Sequence, residues 1–130
     1  MRSSQPLTTI AAAVLLAVVA GVHFQQYVDF MSEIPTIGTL FVLNAAGGAG
    51  LATALLQEDA RVRALAALGG LGLVIAALVS IAIALSGHLF GYQEPTLRTP
   101  VLVAIVAEGL AIPALTLVLA RELRRLKSGP

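Results

Sequence analysis

The chain has 130 residues, of which 58% are hydrophobic and only 12% charged. A soluble domain carries roughly 25% charged residues, and so small a body cannot hide this much apolar surface inside itself. Composition therefore excludes an ordinary water-soluble domain. The net charge of +1 leaves no nucleic-acid footprint, and the lack of cysteine excludes disulfides, thiolate metal sites and a cysteine nucleophile.

Four apolar runs follow in order: Leu7 to Val22, continuing towards Met31, then Ile37 to Leu56, Ala64 to Leu85 and Val101 to Ala120. A helix needs about 20 apolar residues to cross a hydrocarbon core. Each run fits, and none shows the alternation a barrel strand needs. The expectation is an all-α, four-helix transmembrane bundle forming one integral membrane domain. Its helices fall at about 7–31, 36–57, 62–86 and 99–123, with connecting loops at 32–35 and 87–98. Pro6 suits the start of the first helix, and Thr99-Pro100 the start of the fourth. The opening MRSSQ and Val18-Val19-Ala20 also resemble a secretory signal. The run continues unbroken to Phe30, however, which favours a first span.

Orientation follows from the basic residues. Arg2, Arg61, Arg63, Arg121, Arg124, Arg125 and Lys127 fall on one side of alternating helices, and Arg98 on the other. The positive-inside rule predicts a multi-pass protein of the plasma membrane with both termini cytoplasmic. The basic tail would lie against anionic headgroups.

Two stretches follow a common plan. Gly21 to Asn44 and Gly87 to Glu108 each hold a histidine, a tyrosine four residues on (His23 and Tyr27, His88 and Tyr92), a proline and a deeper polar residue. This reads as a parallel 2+2 helix repeat, against the alternative that apolar sequences align by chance. A repeat would place His23 and His88 at equal depth near the outer surface. Asn44 and Glu108 would lie about 12–13 Å further in.

Glu108 carries the sharpest signal. A carboxyl group in mid-membrane pairs, stays protonated or lines a polar path. Ala104, Ala107, Ala111 and Ala114 share its helical face, so it should point into the bundle. Asn44, beside Gly47 and Gly48, is the expected hydrogen-bond partner. Ala13, Ala17 and Gly21 are the corresponding packing residues of the first helix, and Ala66 and Gly70 of the third. His23 and His88 suit cofactor binding as haem ligands, or a divalent metal with Glu94, against the alternative of two interfacial histidines. Gln26, Tyr27 and Tyr92 suit an outer vestibule, against a plain aromatic belt. The glycine clusters at 47–50 and 69–72 lack the lysine and strand of a phosphate loop and read as packing glycines.

With these residues in view, the segments IPTIGTLFVLN (Ile34–Asn44) and GHLFGYQE (Gly87–Glu94) with the late Glu108 resemble small uncharacterised four-helix integral membrane proteins of actinobacterial type. The resemblance covers nearly the whole chain and implies fold and membrane location without an activity. In size and topology alone the chain is also similar to DoxX-like four-helix proteins. Three functional readings remain open. The first is an interaction module or accessory subunit without catalytic chemistry, embedded in the lipid bilayer as a homo-oligomer or with a membrane-protein partner. The second is a haem- or metal-binding, redox-linked protein. The third is an oligomeric small transporter or channel.

Overall fold

The computed structural model describes residues 5–129. Among these the chain is helical throughout its regular structure: α1 Leu7–Asp29, α2 Ile37–Leu55, α3 Ala60–Ser86 and α4 Thr99–Ser128, with one 3-10 turn at Met31–Glu33. Each of the four is long and apolar enough to cross a membrane. Arg2, counted above for orientation, lies outside the described residues.

The helices form a ring. α1 packs against α2 and α4, and α3 packs against α2 and α4. Inward stripes explain the ring. On α1, Ala12, Leu16, Val19, His23 and Gln26 are buried. On α4, Val101, Ala104, Glu108, Ala111, Leu115, Val118 and Glu122 are buried. Both sets step by alternating three and four residues, which keeps one face of a helix towards its neighbours. Large apolar side chains such as Val14, Phe24, Leu43, Leu68, Val79 and Leu117 are exposed instead. That outward surface is the one lipid would cover.

One half of the bundle is filled and the other is not. The core cluster draws on Leu16 of α1, Leu55 of α2, Ala67 of α3, and Leu115 and Val118 of α4. These residues lie towards the end bearing the α2–α3 turn and the basic tail, called here the basic end. Close approach of α1 and α2 depends on Gly48, where a Cβ would sit 3.2 Å from the Ala20 Cβ and 3.3 Å from the Leu16 carbonyl oxygen. Two packing expectations change. Ala17 and Gly21 are exposed. They border an outward groove with Ala46 and Ala49, because α1 buries the stripe one position away. Ala13, Ala66, Gly70, Ala104, Ala107 and Ala111 are buried as the small-residue rule requires.

The helix ends differ from the sequence expectation for local reasons. α1 stops at Asp29, and the chain turns through Met31–Glu33 so that the Met31 side chain is buried. α2 then starts at Ile37 after Thr36, which has φ 66°. Its second residue must be small: a Cβ on Gly38 would lie 2.7 Å from the Met31 carbonyl oxygen. α3 starts at Ala60 because Asp59 caps it, accepting from the Arg61 and Val62 N–H groups. Those two bonds hold the Asp59 carboxyl below its ordinary pKa. α4 runs through Pro113 and on to Ser128, since Arg, Glu and Leu are good helix formers and no breaker intervenes before Gly129.

Candidate functional site

At the end opposite the basic tail, the loop end, the bundle holds a half-open chamber of about 330 Å³. Small residues leave the space: Ala77 and Ala84 on α3 and Ala104 on α4 line it where the other half of the bundle carries leucine and valine. The walls are mostly apolar, including Met31, Phe41, Leu43 and Leu73. Polar groups converge from four directions: His23 and Gln26 from α1, Asn44 from α2, Ser80 from α3, and Tyr92, Glu94 and Arg98 from the 87–98 loop.

The loop is a clasped lid. Leu89 and Tyr92 exchange two backbone hydrogen bonds of 2.8 and 2.9 Å around Phe90 and Gly91. Both central residues have positive φ, 48° and 81°, the pattern of a two-residue hairpin turn. Glu94 organises the rest. Arg98 donates to its two oxygens through Nε at 2.8 Å and Nη2 at 3.1 Å. The Tyr92 hydroxyl donates at 2.8 Å, and the Glu94 N–H donates to the Ala84 carbonyl. The free arm of Arg98 reaches the Gln26 amide oxygen at 2.9 Å, while its guanidinium stacks over the Phe30 ring at 4.8 Å. The Arg98 fork therefore ties the loop to α1 and the start of α4, and the Glu94 backbone ties it to α3.

This clasp sets two titrations. Burial, reinforced by the Glu94 carboxylate, pushes the Tyr92 phenol from 10.0 up to about 12. Burial also opposes ionisation of Glu94, but the Arg98 and Tyr92 hydrogen bonds outweigh it and hold its carboxyl below the ordinary 4.5. Tyr92 therefore supports the fold below pH 10, and that support is lost as pH rises towards 12. The Glu94 contribution is present above pH 4.5 and is lost as pH falls below it. In a Tyr27→Phe background, ultraviolet titration should show the remaining phenolate forming near pH 12. Ionisation at pH 10 would mean that the clasp is open.

Glu108 lies one helical turn below Ala104, the deepest α4 residue that lines the chamber. It is 0% exposed, and neither carboxyl oxygen has a hydrogen-bond partner. The His23 Nε2 lies 3.9 Å from its Oε1. The ring's orientation is fixed from the other side. His23 Nδ1 lies 2.9 Å from the Val19 carbonyl, which can only accept, so Nδ1 carries the proton. In the neutral ring Nε2 is then a bare acceptor facing the acid. Phe41 covers the imidazole with ring centroids 5.0 Å apart. The Asn44 side-chain oxygen is also buried without a partner.

The structure thus regroups the residues singled out in the sequence. Glu108 does point inward, but Asn44 does not bond to it; His23 stands beside it instead. His88 is exposed beyond the end of α3 and does not line the chamber. Glu94 is spoken for by Arg98 and Tyr92. Accordingly His23, His88 and Glu94 do not form a metal-holding set, and no group of three or more such ligands occurs among the described residues. Of the vestibule residues, Gln26 and Tyr92 line the chamber and Tyr27 does not.

Sequence reasoning missed a second buried acid. Glu122, at the basic end, is also 0% exposed. Arg63 donates to it at 2.9 Å, Arg121 at 3.0 and 2.6 Å, and Arg125 lies 3.7 Å away. Arg63 also holds the α2–α3 turn through the Gln57 and Glu58 carbonyls, each at 2.7 Å, and Arg121 reaches the Thr9 hydroxyl at 2.9 Å. Arg63 and Arg121, read as topology markers, therefore bind α1, α3, α4 and the α2–α3 turn together. Spacing could have found this: Glu122 is two heptads from Glu108 on the same stripe, and Arg63 falls on the inward stripe of α3. No protein-family model matches the chain, and neither the curated proteins nor the solved structures contain a match to it.

Proposed function

We propose that this small four-span membrane protein takes up a lipophilic molecule from the bilayer into the chamber at its loop end. The observation that carries the reading is the chamber itself. Its volume is that of a small-ligand site, with apolar walls and a few convergent polar groups. Leu40, Leu43, Leu73, Ala76 and Ser80 bring its lining to the seam between α2 and α3, a route through which a lipid-dissolved molecule can enter sideways. The loop clasped by Glu94 and Arg98 closes the end that would face water. The six basic residues at the opposite end, from Arg61 to Lys127, support cytoplasmic termini and a chamber in the outer leaflet.

The test uses the protein in detergent micelles and 4-phenylbutanol, an apolar body with one hydroxyl. Saturable binding by ligand-observed NMR is expected. Ala77→Phe, which puts a ring into the cavity, should remove that binding while leaving the helical circular dichroism unchanged. Undiminished binding to Ala77→Phe would sink the chamber reading.

A second reading has its own observation. The outward groove between α1 and α2 is bordered by Ala13, Ala17, Gly21, Ala45, Ala46 and Ala49, residues that let another membrane helix approach closely. This favours an interaction module or accessory subunit and is compatible with ligand uptake in the same chain.

A further inference from the structure

We infer that the chamber's ligand is an organic ammonium ion: a protonated amine on an apolar body, held by Glu108, Asn44 and His23. The inference rests on the chamber reading above and adds the ligand's chemical class.

The unpaired groups all want the same thing. Both Glu108 oxygens and the Asn44 side-chain oxygen are buried without a donor. The His23 Nε2 is a further acceptor, because Nδ1–H is committed to Val19. The charged and phenolic donors near the chamber are already used: Arg98 is divided between Glu94 and Gln26, and the Tyr92 hydroxyl goes to Glu94. Buried polar groups in a folded protein almost always have partners. A buried carboxyl group and a buried amide oxygen without donors are complementary to a ligand that brings N–H groups. An ammonium group carries up to three donors and no acceptor.

Charge makes the same point. Arg98 and Glu94 cancel each other within the clasp. Among the described titratable groups at this end, only His23 of α1 approaches Glu108. Tyr92, Glu94 and Arg98 of the loop are bonded among themselves. α2 contributes Asn44 and α3 contributes Ser80, neither of which titrates. An empty chamber is therefore neutral when Glu108 holds its proton. A bound ammonium replaces that proton one for one, so charge is conserved and one proton leaves per cation bound. The chamber's size argues for an organic cation over a bare metal ion. A volume of 330 Å³ lined by Phe41, Leu43, Leu73 and Met31 would leave an inorganic ion mostly in contact with hydrocarbon.

The test compares 4-phenylbutylamine with 4-phenylbutanol, matched in shape, by isothermal titration calorimetry on the full chain in micelles. The amine should bind at least about tenfold more tightly, the scale of one hydrogen bond to a charged group. Titrations in two buffers of different ionisation enthalpy should show about one proton released per amine bound. Glu108→Gln should remove both the preference and the proton release while sparing the alcohol. Asn44→Leu should weaken the amine in the same direction and provides a second reading if Glu108→Gln folds poorly. Equal binding of the two probes to the unaltered protein, or an unchanged preference in Glu108→Gln, would overturn the ammonium assignment and leave the chamber reading standing. If neither probe binds, both are overturned.

Discussion

Glu122→Ala is expected to destabilise the bundle by about 3–5 kcal/mol, the range for breaking a buried ion pair from one side. The loss comes less from the absent carboxylate than from what it leaves behind. Arg63 is buried and would face the core end without its counter-charge, and Arg121 would lose the anchor that aims it at Thr9. Denaturant titration in mixed micelles, followed by circular dichroism, measures the change. Glu122→Gln should fall between the two, because the amide oxygen still accepts one arginine bond but no longer neutralises the cluster. A cost below about 1 kcal/mol for Glu122→Ala would place this cluster with ordinary surface ion pairs.

The other buried glutamate should respond with the opposite sign. Glu108→Met is expected to stabilise the fold by about 1–3 kcal/mol, the penalty carried by a buried polar group with no partner. Methionine has nearly the same length and no oxygen to satisfy, and it would pack against Ala104, Ala107 and Ala111 on the same stripe. The same titration distinguishes the two outcomes. Destabilisation would show that Glu108 is bonded within the resting protein after all, and would remove the reason for assigning it a ligand. Two residues of one type, on one helix and equally buried, thus differ in effect because one is surrounded by arginines and the other by alanines. A fold that keeps a destabilising acid does so for a purpose other than stability.

Architecture was legible from composition and run length. Four apolar segments of spanning length leave the backbone no other way to satisfy its hydrogen bonds in lipid, and the helices form where those segments lie. The inward direction of Glu108 was legible too, because alanines at three- and four-residue spacing mark the packing side of a helix. Direction along a helix is a local property, and the residue pattern carries it.

Partnership was not local. The sequence paired His23 with His88 and Asn44 with Glu108 by position in an apparent repeat. The bundle instead places His23 of α1 beside Glu108 of α4, because those two helices are neighbours in the ring. Likewise Arg63, Arg121 and Arg125 read as charges at one membrane face until packing closed them around Glu122. Which residue meets which depends on how four rods are rotated and seated against one another. That seating is decided by side-chain volumes summed over whole interfaces. The sequence by itself determined four membrane-length helices, the packing face of α4 and the uneven distribution of basic charge. Only the tertiary structure decided that small side chains at the loop end leave a chamber, and that Glu108 and the Asn44 oxygen are buried near it without partners.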